Sequence, residues 1–573
     1  MDTTIGDSNG DMGWMLDARG TTAMTLSRRD VVKAGVFAGA ALSLPLSRVV
    51  SGQSALSNRM PASKLPKPFN TPFVEPRKMI PVRSDATTDY FQISMKQAFT
   101  EIVPGFQTMV FAYTDDMSTG AATVPGPIFN IDQGRQVTVR FRNTLPIVHP
   151  TLGYEPWTAI HLHGSASRPK FDGYASDIIH VGRFKNYEYP NYQPARSLWY
   201  HDHGIQHTAE NAYHGLLGQY ELHDELERSL PIPHGRYDVP LSLTDALFNN
   251  DGSLLFTLED DSGQWGDVIL VNGRPWPVMK VERRKYRFRV LAAALSRSWK
   301  LSLDSGEPLV IIGTDGGLMA HPQSVPSFRT SSGERYEVII DFAKYPIGRR
   351  VILQNSSPKN NRNYENTNKI MAFDVVSEST EPLNNSIPDE LKPVTPNRPA
   401  DANDRLMALQ PQDAIRTRKF RLHRTNGAWK INGRSWEDVL KSDFQFVLAN
   451  PQRGDIEIWE LENSSGGWFH PFHIHLVDFK ILDRNGRPPF AHELGPKDVV
   501  YVGENETVRV LIKFDREDPT KPYGGKYMVH CHNLIHEDHD MMGQFVVTPH
   551  ADDDDDPLDD PAIDLLEEGD DPL

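Results

Sequence analysis

Beyond residue 75, apolar and polar positions alternate in short runs. Residues 91–95, 107–113 and 136–141 each read as a strand, with successive side chains falling on opposite faces. Turn signals such as Pro125-Gly126-Pro127 separate them. The same rhythm returns at 268–273 followed by 285–290, and again at 430–433 followed by 455–460. In both later cases a strand runs into Asn-Gly (Asn272-Gly273, Asn432-Gly433) before a charged alternating strand. Short strands at this spacing predict an all-β sandwich or barrel, and the recurrence predicts related β modules. A chain of 573 residues has room for about three domains at ~150 residues each. The expected modules are 76–225, 226–380 and 405–550, with the Pro-, Asn- and Asp-rich stretch 381–404 as a linker. Residues 51–75, rich in Pro, Ser and Asn, read as a tether. A hydrophobic content of 39% with 41 Gly and 43 Pro suits a loop-rich β protein.

The two ends carry a different signal. Ser27-Arg28-Arg29-Asp30-Val31-Val32-Lys33 precedes an apolar, Gly- and Ala-rich run at 34–46. That run is shorter than the ~20 residues a membrane span needs. Paired arginines ahead of a mild hydrophobic segment predict a twin-arginine export signal within 1–50. The expected location is therefore periplasmic, cell-surface or extracellular, with the twin-arginine export machinery as a partner and no transmembrane span. Export by that route suits a protein that folds, or takes its cofactor, before crossing. The net charge of −16 misleads if read globally, because residues 551–573 hold twelve Asp or Glu and no Lys or Arg. This tail reads as a disordered, self-repelling segment. The rest is close to neutral, which argues against a nucleic-acid partner, and a monomer is expected.

Chemistry gathers around the only cysteine, which excludes a disulfide framework. Cys531 lies in His530-Cys531-His532-Asn533-Leu534-Ile535-His536-Glu537-Asp538-His539-Asp540-Met541-Met542. On a strand His530 and His532 look one way and Cys531 the other. A thiolate, an imidazole at His536 and a thioether at Met541 form the ligand set of a blue-copper electron-transfer site, short of one histidine. Upstream, His470-Pro471-Phe472-His473-Ile474-His475 can supply it. The first module adds His161-Leu162-His163 and His201-Asp202-His203, each placing two imidazoles on one face ~6.6 Å apart by the strand rise. That spacing suits two neighbouring metal ions better than one. Histidine pairs are confined to the first and last modules, so the middle one reads as a spacer.

These motifs, with Leu198-Trp199-Tyr200 before His201 and Gly467-Trp468-Phe469 before His470, resemble the multicopper oxidases over nearly the whole chain after residue 70. Within them the chain is most similar to the branch of bilirubin oxidases and spore-coat laccases. Ala209-Glu210-Asn211-Ala212-Tyr213 and Trp265-Gly266-Asp267-Val268-Ile269 add to the likeness. The resemblance implies three cupredoxin-like β-sandwiches and four copper ions. His470, Cys531, His536 and axial Met541 would hold the type 1 copper, and His161 and His473 the type 2 copper. His163, His201, His203, His475, His530 and His532 would hold the type 3 pair, and Cys531 would pass electrons covalently to His530 or His532. The cluster would lie between the first and third sandwiches. Acids at the positions of Asp172 and Glu537 deliver protons in the spore-coat laccases. For Glu537 an alternative is a hydrogen-bond acceptor that orients a ligand histidine. Trp468 would line the surface that meets the reductant, or serve packing. His207, His214, His223, His492 and His539 are expected not to be ligands.

The activity implied is one-electron oxidation of a phenolic, aromatic-amine or tetrapyrrole donor, coupled to reduction of O2 to water. A metal-ion oxidase for Cu(I), Mn(II) or Fe(II) is the rival, although the 16 Met form no Met-rich insert. A copper-free structural scaffold is the remote alternative, disfavoured by a complete ligand set.

Overall fold

In each third of the chain a long opening strand finds its two partners in the same way. Thr88–Thr100 pairs antiparallel with Thr108–Asp115 and parallel with Gln136–Asn143. Asp238–Ala246 pairs antiparallel with Val268–Val271 and parallel with Lys285–Ala292. Arg416–Thr425 does so with Ala428–Ile431 and Ile456–Asn463. The weak repeat in the sequence is therefore a repeat of topology. Its visible marker, Asn-Gly, supplies the left-handed turns, with φ of 49° and 72° at Asn272 and Gly273 and 54° and 78° at Asn432 and Gly433. Such pairs match the twist of the flanking strands. In the first third the segment between the equivalent strands Thr108–Asp115 and Gln136–Asn143 has no Asn-Gly, which is why only two copies stand out in the sequence.

The computed structural model describes residues 58–117, 122–257, 261–514 and 524–549. The export signal of 1–50 and the acidic tail of 551–573 lie outside these residues. Each third closes as two sheets face to face, of five and four strands in the first, seven and five in the second, and five and four in the third. Each core draws on both sheets: Ile93 and Val139 meet Leu198 and Tyr220 in the first, and Phe420 and Trp459 meet Phe472 and Phe545 in the third. The fold is all-β, three cupredoxin-like sandwiches.

Alternation does not always mean a wet face. Lys285–Ala292 alternates charged and apolar residues, yet Arg287 and Arg289 are buried. Their guanidinium groups meet Glu337 at 2.6 Å and Asp238 at 2.8 Å, and Arg287 also pairs with Glu227. The expected tether and linker are packed where they are described. Met60 donates its N–H to the Phe248 carbonyl at 2.7 Å, and Arg59 pairs with Asp267. In 381–404, Arg284 donates to the carbonyls of Leu383 and Asn384, and Leu391 is buried. Among the described residues no helix is long and apolar enough to cross a membrane.

Candidate metal centre

Two strands of the third module carry ligand-type residues on both faces. His470–Ile474 pairs antiparallel with Gly525–Cys531, with Phe472 opposite Cys531 and His473 opposite His530. In a strand, residues three apart face opposite ways, so His470 parts from His473 as Cys531 parts from His530. The structure sorts them accordingly. His470, Cys531 and His536 form one buried group, and His473, His475, His530 and His532 join the histidines of the first module. Those come from Ile160–His163 and Arg196–Asp202, paired so that His161 faces His201. The rings of His161 and His163 lie 5.5 Å apart and those of His201 and His203 5.8 Å apart, a little less than the strand rise suggests.

Eight imidazoles thus converge in three groups, His161–His163–His473, His163–His201–His532 and His203–His475–His530, the first two sharing His163, with ligand atoms within 4.8 Å in each. Hydrogen bonds fix which nitrogens face inward. Nδ1 of His161 donates to the Asp172 carbonyl at 2.5 Å and Nδ1 of His473 to the Asp498 carbonyl at 2.9 Å. Their Nε2 atoms therefore carry lone pairs, and these sit 3.4 Å apart. The same holds for His475 and His530. Nδ1 of His475 donates to Asp172 Oδ2 at 2.7 Å, and Nδ1 of His530 faces the Glu537 carboxylate at 3.0 Å, while their Nε2 atoms approach to 3.2 Å. Two lone pairs at that distance repel unless a cation lies between them. Burial lowers His161, His163, His473, His475 and His532 well below the usual imidazole range, and brings His201 to about 3 and His203 to about 4. Neutral, converging imidazoles fit transition-metal ions.

The second group is smaller. Nδ1 of His470 lies 3.4 Å from Cys531 Sγ, Nδ1 of His536 3.6 Å from it, and the two nitrogens 3.3 Å from each other. His536 rides on a short helix, Leu534–Asp538, capped by the Asn533 side chain on the Ile535 N–H. Met541 is buried in the same cluster as Cys531, and its carbonyl accepts the Cys531 N–H at 3.1 Å. Met542 packs instead with Tyr174 and Met528. Burial raises the Cys531 thiol, so a coordinated cation is needed to make it a thiolate. Trp468 is half-buried, its ring 5.8 Å from Trp429 and 6.2 Å from His536.

Asp172 follows the short turn Pro169–Phe171 and precedes Gly173, whose φ is +73°. A Cβ at Gly173 would stand 2.4 Å from the Ile160 carbonyl oxygen and 2.5 Å from the His161 nitrogen. Only glycine lets this turn lie against the His161 strand. Asp172 Oδ1 is buried without a hydrogen-bond partner, and burial raises the carboxyl well above its ordinary value. For Glu537 burial also acts upward, but His530 and His203 outweigh it and the net shift is downward. Sequence reasoning missed Asp498, whose Oδ1 lies 3.1 Å from His163 Nε2. Nothing in the chain marks it, since it belongs to no histidine motif. His207, His214, His223, His492 and His539 join none of the metal-type groups among the described residues.

Three family models described as multicopper oxidase match residues 108–226, 222–376 and 410–551. The chain is 39% identical to a bilirubin oxidase of Albifimbria verrucaria, over 86% of this chain and 82% of that one. It is 32% identical to a laccase of Bacillus subtilis, over 83% and 98% of the two chains. A laccase structure from Pediococcus acidilactici superposes with a TM-score of 0.71 at 27% identity, covering 84% of this chain and 95% of that one.

Proposed function

Because this chain belongs to the multicopper oxidase family, we propose that it is an exported, laccase-like oxidase. It takes single electrons from phenolic, aromatic-amine or tetrapyrrole donors and passes four to O2, forming water. Relatives named bilirubin oxidase and laccase support the donor class. Export by the twin-arginine route rests on Arg28-Arg29 and the apolar run after them. The observation that carries the reading is the place of Cys531, with Sγ in the smaller group and both neighbouring histidines in the larger one.

Four coppers are assigned to the two groups. His470, Cys531, His536 and Met541 would hold one, His161 and His473 a second, and the other six histidines a pair. Bound copper supplies the one-electron chemistry; the chain supplies geometry, dryness and protons. All twelve side chains are buried, so water is kept from the reacting centre. From Cys531 Sγ, the backbone to the His530 or His532 ring is a short covalent route for the electron. Forming two waters also takes four protons, and Asp172 is placed to hold one on Oδ1 while Oδ2 accepts from His475. Glu537, held ionised by the imidazoles around it, orients His530.

Cu(II)-loaded protein should be intensely blue from the Cys531 thiolate. Cys531→Ser should abolish that colour and donor oxidation while most of the cluster copper stays bound. A colourless protein that prefers zinc would overturn the assignment. Turnover compared side by side with a bilirubin-like tetrapyrrole, a simple phenol and Cu(I) separates the organic donors from the metal-ion alternative.

A further inference from the structure

The middle sandwich carries none of the twelve ligand-type residues, yet one of its loops reaches the cluster. Residues 331–334 join the strands Phe328–Thr330 and Arg335–Asp341. Glu334 folds this loop back on itself by accepting both the N–H and the hydroxyl of Ser331 at 2.7 Å. Its tip then lies against two cluster imidazoles. Ser332 Oγ is 3.2 Å from His532 Nδ1. Gly333, at φ +87°, packs so closely that a Cβ there would stand 2.9 Å from His532 Cδ2 and 3.1 Å from His163 Cε1.

Arg335 acts one step further out. Its guanidinium donates to both Asp498 oxygens at 2.6 Å, a planar fork that a lysine cannot reproduce. It also donates to the Ser197 carbonyl of the first sandwich at 2.8 Å and to the Asp315 carbonyl of its own at 3.2 Å. A Cβ on Gly164, the residue after His163, would lie 2.4 Å from Arg335 Nη2, so the glycine makes room for the guanidinium. Asp498, held by this fork, accepts from His163 Nε2 through Oδ1 and from His473 Nδ1 through its carbonyl. With its Nε2 hydrogen engaged, His163 turns Nδ1 inward, whereas His161, His473 and His475 present Nε2.

Resting on the copper reading above, we propose that Ser332, Gly333 and Arg335 are positioning residues for the cluster. The middle sandwich thereby fixes the ring orientation of His163 and His532 and, through Asp498, the tautomers of His163 and His473. It is a working part of the metal centre and not a spacer.

The test uses the full chain loaded with Cu(II) alone, as wild type and as Ser332→Ala, Ser332→Thr, Gly333→Ala and Arg335→Lys. Copper retained against a chelator, the paramagnetic resonance of the cluster coppers, the blue band, and thermal unfolding of the copper-free chain are compared. Neighbours that orient metal ligands are typically worth 10–100-fold in metal affinity. Cluster copper in Ser332→Ala and Gly333→Ala should therefore be held roughly 10–100-fold more weakly, with an altered resonance. The blue band should be unchanged, because none of these residues touches His470, Cys531 or His536. Ser332→Thr, which keeps the hydroxyl, should restore retention, and Ser332→Ala should unfold like wild type without copper. If Gly333→Ala or Arg335→Lys fails to fold, Ser332→Ala against Ser332→Thr decides alone. Wild-type resonance and retention in Ser332→Ala would overturn the proposal. A wild-type chain that takes up no copper would overturn the copper reading itself, and this inference with it.

Discussion

Asp172 and Glu537 are both buried carboxyls beside cluster imidazoles, and their surroundings push them in opposite directions. Asp172 accepts from His475 through Oδ2 and has His161 Nδ1 3.6 Å from Oδ1, yet burial dominates and the neutral acid is favoured. Glu537 has His530 and His203 within 3.6 Å, and their pull exceeds the cost of burial. A neutral acid can give up a proton, whereas an ionised one holds its neighbours in place. The residue types were legible in the sequence at their spacing from His163 and His536, but the contrast between them was not. It depends on burial and, for Glu537, on His203 of the first sandwich, neither of which the order of residues reveals. Asp172→Asn should keep the blue band and anaerobic reduction by donor. Reoxidation by O2 should slow by roughly 10²–10⁴-fold, as expected on losing a positioned acid. Stopped-flow mixing of the fully reduced variant with O2 measures this, and a wild-type rate would pass the role to Glu537.

At the scale of elements, strand parity did most of the sorting. Odd and even positions along 470–475 and 530–532 separate the two groups, and parity is visible in any sequence once a strand is recognised. Turns were less legible, because what they position depends on what they lie against. Gly173 and Gly134 look alike in the chain, with φ of +73° and +78°. An added Cβ at Gly134 meets nothing within 4 Å, while at Gly173 it strikes the backbone of Ile160 and His161. Gly134→Ala should therefore show only the left-handed strain of about 1–2 kcal/mol. Gly173→Ala should lose more stability and also cluster copper, because its turn must withdraw the Asp172 carbonyl from His161. Denaturant titration with copper-to-protein ratios distinguishes the two; equal losses with full copper in both would refute it.

For the whole molecule the sequence is a poor guide to charge. Twelve of its excess acids lie in the tail, while the charges that join elements are hidden in strands that read as solvent-facing. Arg287, Arg289, Arg335, Arg484 and Lys497 are all buried and paired. Such pairs make folding sensitive to acid. Glu493, at the end of the turn Ala491–Glu493, accepts from Arg484 at 2.6 and 2.8 Å, and Arg329 of the middle sandwich lies 3.7 Å away. Burial alone would raise this carboxyl, but Arg484 outweighs it and holds it at about 2, against an ordinary 4.5. A depressed folded value means that the stabilisation is complete above pH ~4.5 and is lost as pH falls towards ~2. The shift corresponds to on the order of 3 kcal/mol. Glu210 runs the other way: burial lifts it to about 7, so its contribution falls as pH rises from ~4.5 to ~7. Glu493→Gln should be less stable than wild type near pH 6, by roughly 3–5 kcal/mol for a broken buried pair. Between pH 5 and 2, however, its stability should decline less steeply than that of wild type, by on the order of 3 kcal/mol. Denaturant unfolding of the copper-free chain across that range gives both slopes, and parallel declines would show that Glu493 has no part in the acid sensitivity.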